Sequence, residues 1–181
     1  MGWTTLSYRR FPVTEPAVGR FVKIAESLLV NGGAVVACLV PKDAAAFDVA
    51  VSTDLQGWAH PFVSFLQSPD LPSQIPELKL GRPPAEKPAL TCLSTLAVEG
   101  ELAYSLLNGG AYTKGLALPE ARTVTRELME SIVGGRWNQI SAARVDEPWC
   151  DWFYDVAWDS TFLMLDRLER RMWLLCMTDT D

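Results

Sequence analysis

A single histidine, His60, stands in 181 residues. Its setting, Gly57-Trp58-Ala59-His60-Pro61, offers no nucleophile elbow and no partner at triad spacing. Ser-His-Asp and Cys-His catalysis are therefore without support, and a structural histidine is the simpler reading. The four cysteines, Cys38, Cys92, Cys150 and Cys176, are widely separated and form no C-x-x-C pair. With one imidazole available, zinc and thioredoxin-like sites fall away, and free thiols suit a reducing compartment. Neither Gly-x-Gly-x-x-Gly nor Gly-x-x-x-x-Gly-Lys-Ser/Thr occurs. The pairs Gly32-Gly33, Gly109-Gly110 and Gly134-Gly135 each follow a helical pattern, where helix termination explains them. No apolar stretch reaches the roughly 18 residues of a membrane span, so no membrane partner is expected. Met1–Arg10 lacks a basic stretch followed by an apolar one, and a cytoplasmic location is the expectation.

Positive charge is also short. Sixteen Lys and Arg face 22 Asp and Glu, for a net charge of −6, the reverse of what phosphate-backbone binding requires, so nucleic acid is not an expected partner. The distribution says more. Residues 1–145 carry thirteen acids and thirteen bases, whereas 146–181 carry nine acids and only Arg167, Arg170 and Arg171. The whole net charge resides in that last segment.

What is present suits one well-buried core: 49% hydrophobic and 21% charged residues, with mean hydropathy +0.08. Trp3–Phe11 reads as a strand. A helix follows, with Thr14 as N-cap, Pro16 in its first turn, and Val18, Phe21, Val22, Ala25, Leu28 and Leu29 on one face. Ala34–Val40 is a continuous apolar run, as in a strand covered on both sides, and Phe47–Thr53 reads as its neighbour. Residues 54–66 stay open between helix and irregular structure. Gln67–Ala89 holds six of the twelve prolines, a density that predicts a long Pro-rich loop at about 67–89. Leu90–Ala97 reads as a strand, and Val98–Leu107 and the stripe Ala121, Val124, Leu128, Ile132 as helices. Thr161–Leu165 and Arg171–Met177 then predict a C-terminal β-hairpin. The class is α+β in a single domain over 1–181, with helices on an antiparallel or mixed sheet.

Trp149-Cys150-Asp151-Trp152-Phe153-Tyr154-Asp155-Val156-Ala157-Trp158-Asp159 is the most unusual stretch. A helix would set Asp151, Asp155 and Asp159 on one face. An extended chain would set them opposite Trp152, Tyr154 and Trp158. Four readings compete. The rings fill the core and the aspartates cap turns. Or Asp151, Trp152, Tyr154, Asp155, Trp158 and Asp159 form an acidic, aromatic face for a basic protein partner. Or the chain is an enzyme: the aspartates, with Asp146 or Glu147, hold Mg²⁺ for phosphoesterase chemistry, which lacks a supporting Lys, His or phosphate loop, or they serve another small-molecule reaction with its pocket near the Pro-rich loop. Or exposed tryptophans bind a small ligand, for which an open aromatic cleft is the visible sign. Aspartate neighbours raise rather than activate the Cys150 thiol. The tail Met177-Thr-Asp-Thr-Asp181 extends the negative patch.

Asp155-Val-Ala-Trp-Asp159, the turn through Asp166-Arg167 and the ending Trp173-Leu-Leu-Cys-Met-Thr-Asp-Thr-Asp181 resemble the C-terminal part of small acidic bacterial proteins of the polymorphic-toxin immunity type. The resemblance covers about the last quarter of the chain. It implies a cytoplasmic, non-enzymatic protein that binds one cognate toxin and blocks it. It carries over no catalytic residue, cofactor or metal ligand.

Overall fold

The computed structural model describes residues 2–81, 87–145 and 147–181. Among them six strands make one sheet: β1 (Tyr8–Phe11), β2 (Gly33–Pro41), β3 (Leu90–Leu93), β4 (Ile140–Val145), β5 (Ser160–Asp166) and β6 (Arg171–Thr178). Their order is β1-β2-β6-β5-β4-β3, and every neighbouring pair is antiparallel. Helices α1 (Pro16–Leu28), α5 (Thr95–Asn108) and α6 (Leu118–Val133) cover one face. Helices α2 (Ala44–Thr53), α3 (His60–Leu66) and α4 (Leu71–Gln74) cover the other. The class is the predicted α+β, with the antiparallel alternative realised and the β5–β6 hairpin in place.

Burial on both faces explains the continuous apolar runs. In β6, Met172, Leu174 and Cys176 enter the core under α2–α4, while Trp173, Leu175 and Met177 enter the core under α1, α5 and α6. β2 divides the same way, with Val35, Ala37 and Leu39 opposite Ala34, Val36 and Cys38. The period-2 alternation of a strand thus feeds two cores at once.

Local chemistry moves several boundaries from their predicted places. Phe47–Thr53 is helical, not a strand: Asp43 caps α2 by accepting from Ala46 N at 3.0 Å, and Ala44-Ala45-Ala46 is strong helix-forming sequence. Ser94 caps α5 in the same manner, 3.1 Å from Ala97 N, so the strand predicted to Ala97 stops at Leu93. Trp3–Thr5 is a turn of 3-10 helix, and β1 begins only at Tyr8. Glu15, not Thr14, precedes the first turn of α1. β4 has no counterpart among the predicted elements.

The predicted Pro-rich loop is a correction too. Pro72 and Pro76 sit in the first turns of α4 and of a short 3-10 helix, Pro76–Leu78. A proline's missing N–H costs nothing at a helix start. Residues 82–86 of that predicted loop lie outside the described residues. α4 also closes one sheet edge. Asp70 Oδ2 accepts from Tyr8 N at 2.6 Å and Gln74 Oε1 from Arg10 N at 2.7 Å, side chains one helical turn apart standing in for a missing strand.

Candidate functional site

The chain folds so that one end of the sheet collects the segments of interest. The connection from β4 to β5, the end of β6, the turn from α1 into β2 and the turn after α5 all meet there. Residues 149–159 form neither the helix nor the extended chain expected, but an irregular connection with turns. Asp151, Asp155 and Asp159 therefore do not stand in the regular stripe that either period would give, although Asp155 and Asp159 line one small hollow together.

Buried rings hold the connection down. Trp149 and Phe153 are buried in the core under α2–α4, Trp152 packs against it half-buried, and Trp149 Nε1 donates to Thr161 Oγ1 at 2.9 Å. Trp158 packs against the opposite core. The segment thus straddles the end of the sheet with a ring on each side.

Asp159 organises what lies between. Its Oδ2 accepts from Tyr154 N and Val156 N, both at 3.1 Å, and its Oδ1 accepts from the Thr178 hydroxyl. Asp155 stands between those two amides at φ +61°, a left-handed conformation that Asp tolerates better than most residues. Of the six candidate residues, Asp151, Tyr154 and Asp155 face solvent, Trp152 and Trp158 are half-buried, and Asp159 is directed inward.

The tail extends the negative patch through Asp181 alone, because its other acid is withdrawn. Asp179 is fully buried; Oδ1 accepts from Asn31 N at 2.9 Å and Oδ2 from Ala111 N at 2.8 Å. A Cβ at Gly110 would collide with Asp179 Oδ2 and Leu28 O, so this glycine is what allows the close approach. Asp166 is likewise withdrawn, gripped by Arg136 at 2.6 Å and capping the hairpin turn through Leu168 N and Glu169 N. Among the described residues, Glu147, Asp151, Asp155 and Asp181 are exposed anions at the site's end of the sheet.

Beside the connection opens a cleft of about 560 Å³. α5 contributes Glu101, Tyr104 and Asn108, β4 contributes Arg144, and the connection contributes Trp158 and Asp159, over an apolar floor that includes Phe162 and Met177. Glu101 Oε1 and Arg144 Nη1 are 3.4 Å apart, and Tyr104 is 62% exposed. Sequence reasoning named Trp158 and Asp159 but not Glu101, Tyr104 or Arg144. They come from α5 and from β4, and no spacing in the sequence announces that these elements meet.

Other chemistry is sparse. Burial, with the charges of Asp151 and Asp159 adding to it, pushes the Cys150 thiol up to about 11, away from nucleophilic use. His60 Nδ1 lies 3.0 Å from Asp54 Oδ1, and Asp54 Oδ2 accepts from Trp3 Nε1 at 2.9 Å, which makes this pair a brace for the N-terminal turn. Among the described residues no group of three or more His, Cys, Asp or Glu is placed to hold a metal ion, and no helix is long and apolar enough to cross a membrane. Asp146, named in the metal alternative, lies outside the described residues.

What fold and site define is an α+β protein with a braced, partly acidic connection beside an aromatic cleft. Comparison with protein-family models, curated proteins and solved structures found no match for the chain.

Proposed function

We propose that this chain is a non-enzymatic binding protein of the immunity-inhibitor kind, acting in the cytoplasm on a basic protein, and that the β4–β5 connection is its recognition surface. The observation that carries this reading is the pairing of order with exposure on one segment. Trp149, Phe153 and Asp159 fix the connection from within, while Asp151, Tyr154 and Asp155 face outward. A connection already held in one conformation loses little entropy on binding. Its carboxylates steer a positively charged partner, and Tyr154 supplies an aromatic contact. Trp152 supports the surface from beneath, and Trp158 and Asp159 border the cleft beside it.

The test is association with the product of the neighbouring gene, measured for wild type and for Asp151→Lys combined with Asp155→Asn. Asn keeps the left-handed backbone at 155 while removing its charge. The expected result is an association rate about tenfold lower at low salt, with the difference shrinking as salt rises. A basic partner that binds both proteins equally at every ionic strength removes the surface from the reading.

A further inference from the structure

We propose that the cleft beside the connection is a socket for an arginine of the basic partner, taken together with the residues that flank it. This rests on the protein-binding reading above and names what the binding recognises. Tyr104 on α5 and Trp158 on the connection are aromatic residues of the lining, and a guanidinium is attracted to aromatic ring faces and stacks on them. Among the described residues the charged groups of the lining are Glu101, Arg144 and Asp159, the last already accepting from Thr178 and two backbone amides; two carboxylates stand against one guanidinium, a balance that favours a cationic guest over an anionic one.

Glu101 keeps acceptor capacity for that guest. Its 3.4 Å separation from Arg144 is longer than the ~2.7–2.9 Å of a strong charge-assisted bond, and its side chain is 40% exposed. Arginine suits the site better than lysine, because its planar fork combines ring stacking with carboxylate binding, whereas an ammonium is a strongly hydrated point charge. The volume, about 560 Å³, falls among sites that enclose a drug-sized ligand, roughly 300–1,000 Å³, and has room for an arginine with its neighbouring backbone.

The experiment titrates the full ¹⁵N-labelled chain with N-acetylarginine amide, its lysine counterpart, N-acetylcitrulline amide as the neutral twin, and inorganic phosphate. The expected result is saturable shifts at the Trp158 indole N–H and at the amides of 104–108 and 158–160. Citrulline should bind about tenfold more weakly, as loss of a charge-assisted contact requires. Tyr104→Ala, at an exposed position, should weaken the arginine probe about threefold, the size of an exposed cation–π contact, and Glu101→Gln should weaken it by a similar factor or more. Equal binding of arginine and citrulline, shifts confined to other regions, or a stronger response to phosphate overturns the socket. In the partner assay, Tyr104→Ala without effect while the Asp151 and Asp155 substitutions weaken binding ends the socket and leaves the reading standing. No effect from either set ends the reading itself.

Discussion

Asp159 and Thr178 are joined side chain to side chain, the Thr178 hydroxyl donating to the carboxylate, and this bond ties the β4–β5 connection to the last residue of β6. Thr178 is fully buried, so removing its hydroxyl leaves the half-buried Asp159 carboxylate without one of its partners. Thr178→Val, nearly isosteric, should cost about 1–3 kcal/mol. It should also speed amide exchange over 149–159 while the β2–β6 ladder keeps its protection. Thermal unfolding and hydrogen exchange check the two halves, and an unchanged exchange pattern would show that the rings alone hold the connection.

The two aspartates of the tail should differ sharply. Asp179 satisfies Asn31 N and Ala111 N from a fully buried position, whereas Asp181 is exposed. Asp179→Ala orphans two backbone donors and should destabilise by roughly 2 kcal/mol or more. Asp181→Ala should stay within about 0.5 kcal/mol of wild type. Chemical denaturation of both variants decides this, and similar values for the pair would contradict the bracing role of Asp179.

These contacts mark where sequence reading stops. The apolar runs of β2, β5 and β6 and the stripe of α6 were legible because burial imposes a period on adjacent residues. β4, Ile-Ser-Ala-Ala-Arg-Val, has no strand signal of its own, and becomes a strand because β3 and β5 flank it. Val49, Val51 and Thr53 suggested a strand, yet the Asp43 cap and three alanines decide for α2. The unusual composition of 149–159 was visible. Its conformation was not, because it depends on Asp159 reaching Thr178, nineteen positions away. The cleft was invisible for the same reason, since α5 and β4 meet only in the folded chain.

Tyr8 carries a hydroxyl that the core does not use. Its oxygen is buried without a hydrogen-bond partner among the described residues, and its ring meets Phe65 edge-on at 5.1 Å. Phe keeps the ring contact and discards the unpaired group, whose burial costs about 1–3 kcal/mol. Tyr8→Phe should therefore be neutral or stabilising, which sets it apart from most substitutions at fully buried positions. A loss above about 1 kcal/mol in denaturant unfolding would mean the hydroxyl is bonded to an internal water.

Acid should weaken the molecule through Asp54 and Asp70. Burial raises both carboxyls, but hydrogen bonds outweigh it: from Gln56 N–H, His60 and Trp3 at Asp54, and from Lys42 and Tyr8 N–H at Asp70. Each is held below the ordinary 3.8. A lowered folded value means the unfolded chain takes up the proton first, so the contribution is complete above 3.8 and lost as pH falls through the folded values. Asp70→Asn removes one of the two groups and leaves an amide facing the Tyr8 amide. The variant should be less stable than wild type at neutral pH, and the gap should close between about pH 5 and pH 2 as the wild-type carboxyl is protonated. Denaturation midpoints across that range provide the measurement. Parallel curves for the two proteins would show that the Asp70 charge takes no part in holding α4 against β1.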